Sequence, residues 1–445
     1  MSSLADRIRG IVAPGRSDLP GPPALPGPPA SADLSPLGGA WRANAFVVER
    51  RWEPSACHGR ERIGALAERL ERSAGEAPLF TGGVPARPPF VFFDLETTGL
   101  NGGAGTLAFL VGCGWFEGDG SFVTRQFLLV RHADERMQLE AVAAELARAG
   151  ALVSFNGKSF DAPLLEGRYL FHRIAWRGRE MPHLDVLHPA RRFWKAPASG
   201  ARAFPLYGAR GSHDAGCSLQ SLERQLVGLR RQGDVPGFEI PALYFQFVRS
   251  GDAGPLAVVL EHNRLDLLTL AALTARLMDM ARRGPEAAGD AREALALGHV
   301  YARAHQRAQV VPSQSTGGVL DERARTSFRC AIDRCRSPRG AYDPIRIEAL
   351  RALALTCRRA RLHDEAAAAW RELVDVRGCP APILRDAAEA LAIHHEHRVH
   401  DLAVAKAFAL RNLESGRDLG WADAALHRLA RLERKLATET LKFEV

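Results

Sequence analysis

The chain has 445 residues, more than one ordinary domain holds, and two or three domains are expected. With 46% hydrophobic and 25% charged residues it can bury substantial cores. No apolar run approaches the ~18 residues of a spanning helix, which argues against an integral membrane protein. The formal charge is +8, and between Glu166 and Gly233 twelve Arg or Lys face five acids, so most of the excess sits there. Such a segment suits a polyanion-binding surface; an arginine-rich composition with solvated side chains explains it equally well. Seven cysteines are scattered without a Cys-x-x-Cys pattern. That argues for reduced thiols in a cytoplasm and against a disulfide framework or zinc site.

In chain order, Met1 to Pro14 lacks the apolar core of a signal peptide, and Leu4, Ile8 and Ile11 are spaced like a short amphipathic helix. Ser17 to Ala40 is rich in Pro, Gly, Ala and Ser and reads as a flexible or polyproline linker. Residues 1–45 are therefore expected to be disordered, with a short extension over 46–86. Trp41 to Trp52 reads as a strand and Arg60 to Arg72 as a helix. Phe90 opens a buried strand, followed by strand candidates Leu107–Phe116 and Ser121–Val130, with a turn at Gly118 and Gly120 between them. Asp134 to Arg148 reads as a helix with Met137, Leu139, Val142 and Leu146 on its apolar side. Ala151 to Phe155 is another strand. Leu256 to Met280 is a long helix buried through Leu260, Leu267, Leu268, Leu270, Leu273 and Leu277. Strands alternating with helices imply an α/β domain with a mixed sheet over 87–283. From 286 to 445 the chain reads as all-helical, with a degenerate repeat. Ala349–Leu355 followed by Leu362–Ala366 recurs as Ala387–Ile393 followed by Val399–Ala403, offset by 37 to 38 residues. The period and the small-residue positions resemble tetratricopeptide-like hairpins, arrays that bind a protein partner or brace a neighbouring domain.

Three sites carry candidate chemistry. In Phe93-Asp94-Leu95-Glu96-Thr97-Thr98-Gly99-Leu100 the two acids alternate with Leu95, so both emerge on one face of a strand. Paired carboxylates at the end of a buried strand need a cation or a shared proton, and oxygen-only donors favour Mg²⁺ or Mn²⁺ over zinc. Taken alone, the pair could also be a strand ending in solvated acids. Asn156-Gly157-Lys158-Ser159-Phe160-Asp161 follows a later strand; alone, Asp161 reads as a helix N-cap. In Glu261-His262-Asn263-Arg264-Leu265-Asp266, His262 and Asp266 share a helix face one turn apart, an ordinary polar pair or a base beside a ligand.

In this order the three sites resemble the DEDD superfamily of 3′–5′ exonucleases. Phe93 to Leu100 is similar to the family's first motif, Asn156 to Asp161 to its second, and Asp266 to its last acid. Asp185-Val186-Leu187 and Ser218 to Leu222 look like its linking elements. With the helical tail, the chain resembles bacterial ribonuclease H-like proteins ending in tetratricopeptide-like repeats. The resemblance implies a ribonuclease H-like fold and two divalent ions, Mg²⁺ or Mn²⁺, held by Asp94, Glu96, Asp161 and Asp266. It also implies His262 as the base, with Thr97, Thr98, Gly99, Leu100 and Asn156 touching the substrate. The histidine subtype of the family places four residues between the base and the last acid. Here His262 has the three-residue spacing of the tyrosine subtype, and position 261 is Glu. Asp185 is an alternative third ligand, with a structural role favoured by its place after His183 on a strand. The leading expectation is a metal-dependent exonuclease acting on DNA or RNA. The alternatives are a catalytically silent nucleic-acid-binding module whose tail recruits a protein, and a structure-selective endonuclease on the same fold.

Overall fold

The computed structural model describes residues 32–99, 105–195, 217–310, 317–414 and 419–443. The segment before residue 32, which holds most of the Pro/Gly-rich stretch, and Leu100 both lie outside them.

The strands are β1 (Ala40–Arg42), β2 (Ala45–Trp52), β3 (Cys57–His58), β4 (Glu61–Arg62), β5 (Phe90–Thr97), β6 (Ala108–Phe116), β7 (Phe122–Leu128), β8 (Ala151–Ser154) and β9 (His183–Asp185). Seven form one mixed sheet in the order β1-β2-β7-β6-β5-β8-β9. β5 runs antiparallel to β6 and parallel to β8, and β8 runs parallel to β9. The β6–β7 turn closes with Gly120 at φ 82°, a conformation glycine adopts without a Cβ penalty. The extension over 46–86 is not set apart from the sheet: β2 pairs antiparallel with β7 from Phe46 to Trp52.

The helices up to the sheet domain's end are α1 (Ile63–Ser73), α2 (Glu135–Leu146), α3 (Asp161–Phe171), α4 (Leu187–Phe193), α5 (Leu219–Leu222), α6 (Ile240–Ser250) and α7 (Leu256–Arg283). Alternation along β5 divides its side chains between two cores. Val91, Phe93 and Leu95 meet Leu139, Val142, Leu164, Leu165 and Tyr169 of α2 and α3. Phe90 and Phe92 face the other way, into a core shared with Leu267, Leu268 and Leu270 of α7. On α2 the expected apolar stripe is corrected at one position. Met137 is exposed, and the neighbouring Gln138 is buried instead, its amide donating to the Phe127 carbonyl at 2.9 Å.

The remaining helices are α8 (Ala291–Val310), α9 (Gly317–Arg334), α10 (Pro344–Arg359), α11 (His363–Val374), α12 (Ala381–His394), α13 (Leu402–Glu414) and α14 (Leu419–Phe443). The second copy of the repeat departs from the first at its turn. The left-handed residue is Arg361 in one and His400 in the other, the latter preceded by a π-helical turn over His395–Val399. The core on the α7 face runs without a break into α8 to α12, through Leu297, Phe328, Leu350 and Trp370. The last turn of α7 is held from that side. The Ala281 carbonyl accepts from Tyr301 Oη and Arg323 Nη2, both at 2.5 Å, and Arg323 also reaches Arg282 O at 2.7 Å. Carbonyls that a helix end leaves unpaired are thus satisfied by the next unit. Among the described residues no helix is long and apolar enough to cross a membrane.

α7 sits close to the sheet because β6 carries glycine where the two meet. A Cβ on Gly112 would lie 2.1 Å from Asn263 Oδ1. Gly112→Ala is expected to destabilise the protein by about 1–3 kcal/mol, the usual cost of overpacking a filled core. Urea unfolding of the two proteins measures it; an unchanged midpoint would mean the helix yields freely.

Candidate functional site

Asp94 and Glu96 emerge on the α7 face of β5, partly exposed, whereas Leu95 and Thr97 are buried on the other side. Asp94 stands opposite Gly112 in the ladder, and the register shifts just after Glu96. A bulge at this point ends regular pairing and re-aims the chain leaving the strand. Thr97 Oγ1 donates to Gly99 O at 2.9 Å, and the Leu107 amide donates to Thr98 Oγ1 at 2.9 Å, so both hydroxyls shape the turn itself.

Asp161 is the first residue of α3, and its carboxyl does not cap the helix: Phe160 holds the N-cap position, without a side-chain cap. The loop before it is set by Asp185. This carboxylate accepts from the amides of Asn156 (2.8 Å), Lys158 (3.1 Å) and Leu187 (3.1 Å). Asn156 adopts φ 69°, a left-handed conformation that asparagine tolerates better than most residues. Gly157 packs against Ser154, whose Oγ a Cβ would meet at 2.4 Å, with Asp161 Oδ2 at 3.1 Å.

α7 supplies the rest. Asn263 Nδ2 donates to Asp94 Oδ2 at 2.9 Å, and Gln126 Nε2 of β7 donates to Asn263 Oδ1 at 2.9 Å. His262 Nδ1 lies 2.8 Å from Asp234 Oδ1, and its Nε2 lies 3.5 Å from Asp266 Oδ2. Arg231, almost wholly buried, reaches Asp266 Oδ1 at 2.5 Å and Glu223 Oε2 at 2.7 Å. Glu223 in turn accepts from Thr269 Oγ1, which is hydrogen-bonded to His58 Nε2 at 2.8 Å. Sequence reasoning did not single out Asp234, Asn263 or Gln126, and it counted Arg231 with the basic segment rather than beside Asp266.

Neighbouring acids add to the proton affinity of Asp94 and Glu96, whereas burial dominates at Asp161 and Asp266. Asp94 is held well above the usual carboxylate range, first by desolvation and then by the charges of Asp266 and Asp161. Desolvation likewise raises Glu96, with Asp94, Asp266, Asp161 and Asp234 adding to it. Asp161 is pushed up to about 7, by desolvation and then by Asp185. Asp266 is raised by desolvation, against the opposing pull of Arg231 and His262. Asn263 and Arg231 therefore relieve only part of the repulsion, and a hard cation or protons must supply the remainder. The oxygen-only donor set suits such a cation in kind. Among the described residues, however, no three His, Cys, Asp or Glu side chains are gathered as a ready metal cage.

The basic segment is less available than its count implied. Arg168 is buried against Glu135 (2.6 and 2.5 Å), Arg179 pairs with Glu166 at 2.6 Å, and Arg231 is held within the site. Arg202 and Arg210 lie outside the described residues.

Because folding raises the Asp161 pKa from 3.8 to about 7, its contribution favours the folded state fully below pH 3.8 and is lost as pH rises through about 7. Asp161→Asn in metal-free buffer is therefore expected to raise the melting temperature at pH 8 and to leave it nearly unchanged at pH 4. Melting curves across that window test it, and equal effects at both ends would contradict the sign.

Residues 91–278 match the family model described as RNase_H superfamily. Over 183 residues the chain is 35% identical to the Bacillus subtilis (strain 168) protein named "Uncharacterized protein YprB". That match covers 41% of this chain and 40% of the other, so the chain spans well under half the length of the relative it matches. The mixed sheet, its flanking helices and the family match together identify residues 91–278 as an RNase_H superfamily domain.

Proposed function

We propose that this domain is a divalent-metal-dependent 3′–5′ exonuclease acting on DNA or RNA. The observation that carries the reading is the gathering of Asp94 and Glu96 from β5, Asp161 from α3 and Asp266 from α7, with His262 beside Asp266. Burial raises all four, and the charges of Asp161 and Asp266 bear on Asp94 and Glu96. Structural carboxylates are normally neutralised one by one; a group left under mutual repulsion is typical of a site that takes a cation. The 3′–5′ polarity rests on the likeness of motif order to the DEDD exonucleases.

Asp94, Glu96, Asp161 and Asp266 would hold Mg²⁺ or Mn²⁺. Bound there, such ions would lower the pKa of a nucleophilic water and would stabilise charge on a leaving oxygen. The protein's own part is to position and to move a proton. Asp234 fixes His262 through Nδ1, which leaves Nε2 to receive the proton of the attacking water. Asn263 orients Asp94, and Arg231 orients Asp266. Thr97, Thr98, Gly99 and Asn156 would border the terminal nucleotide. The tetratricopeptide-like tail braces α7 and offers its outer faces to a protein partner.

The Arg231–Asp266 pair favours a second reading, in which the arginine replaces a cation and the domain binds nucleic acid without cutting it. Full-length protein with Mg²⁺ or Mn²⁺ on end-labelled single- and double-stranded DNA and RNA separates the readings. A 3′ ladder abolished by Asp94→Asn supports the exonuclease. Internal cuts from a blocked end indicate an endonuclease, and binding without degradation leaves the silent module. Independently of activity, saturating Mn²⁺ is expected to stabilise the wild type by about 2.7 kcal/mol at a hundredfold excess over Kd. Denaturant titration of Asp94→Asn with Glu96→Gln should show that gain abolished.

A further inference from the structure

A cavity of about 210 Å³ lies between the RNase_H superfamily domain and the first helix of the tail. Lys158 and Arg192 line it from one side, Arg303 and Arg307 of α8 from the other, and His188 completes the rim. Asp185, the one acid among its described lining residues, accepts from the backbone amides of Asn156, Lys158 and Leu187, and its charge also acts on Lys158. Leu79, Phe80 and Phe193 supply an apolar wall. Two other clefts of comparable size mix arginines with acids: Glu61 and Asp279 in one, Asp386 and Glu389 in the other. In the first of these the acids are paired, Arg69 with Glu61 at 3.1 Å and Arg283 with Asp279 at 3.7 Å.

We infer that the cation-lined cavity is a phosphate-binding subsite for the nucleic-acid strand, built jointly by the loop that delivers Asp161 and by α8. This deepens the proposed nuclease reading and rests on it for the identity of the ligand. Two arguments support it. The cavity is smaller than the ~300–1000 Å³ of pockets that enclose whole small molecules, so it suits a phosphate with part of its sugar. Lys158, three residues before Asp161, and Asp185, whose charge acts on Asp161, both line it, so the cavity adjoins the acids where the strand's end would lie. Arginine forks match phosphate oxygens in pairs, and the acids alone would repel the same backbone. The tail then contributes a wall of the substrate path as well as bracing the helix that carries Asp266.

The test is binding of a fluorescein-labelled single-stranded oligonucleotide to full-length protein, by anisotropy across a salt series in EDTA. Arg192 and Arg307 are exposed, so Arg192→Gln and Arg307→Gln should keep the wild-type melting temperature. Each is expected to weaken binding and to lower the salt slope by about 0.7, the value for one single-strand phosphate no longer neutralised. Arg307→Lys should retain most of the slope. Arg351→Gln, on α10 and outside the cavity, should match the wild type. Wild-type affinity and slope in both Gln variants would overturn the inference. So would saturable calorimetric binding of inorganic phosphate that these variants lose while oligonucleotide affinity stays unchanged. A protein that binds in this way yet cuts nothing with Mg²⁺ or Mn²⁺ would refute the nuclease reading and leave the subsite standing.

Discussion

The closeness of α7 to the sheet governs the rest of the site. Gly112 removes the side chain that would hold the helix away, and Asn263 fills the space. Once there, its amide bonds Asp94 while its oxygen takes the Gln126 amide, so one buried residue of α7 ties β5 to β7 across the intervening β6. Burying the two amides of Asn263 and Gln126 is tolerable because each finds a partner. One turn further along α7, Asp266 is brought toward the same cleft by that seating.

The second constraint is charge. Arg231 stands between Glu223 and Asp266, almost without solvent, and removing either partner would leave a buried charge unmatched. The chain from His58 through Thr269 and Glu223 to Arg231 joins the N-terminal extension to the last acid of the site. The extension is therefore part of the catalytic architecture proposed for the domain, although it precedes the matched family region.

The parts of the site legible in the sequence were those governed by local periodicity. Strand alternation placed Asp94 and Glu96 on one face, and helical spacing placed His262 one turn from Asp266. Asp234 and Arg231 were not legible, because they come from an irregular stretch whose path is set by tertiary contacts. Asn263 lies between His262 and Asp266 on the same helix, but its role depends on a glycine in β6, far away in sequence. Gln138, and not Met137, faces the interior, where its Nε2 donates to a strand carbonyl, a long-range contact that periodicity does not reveal. The repeat's second turn slipped because a π-helical turn leaves no mark in the pattern of small residues.

The place of β2 has a practical meaning for work on fragments. It covers the flank of β7, and β1 then narrows the sheet to a three-residue border. A truncated version starting at residue 91, where the family match begins, would present β7 with its amides and carbonyls bare. Bare strand borders recruit neighbours, so such a fragment would tend toward self-adhesion for reasons unrelated to its chemistry.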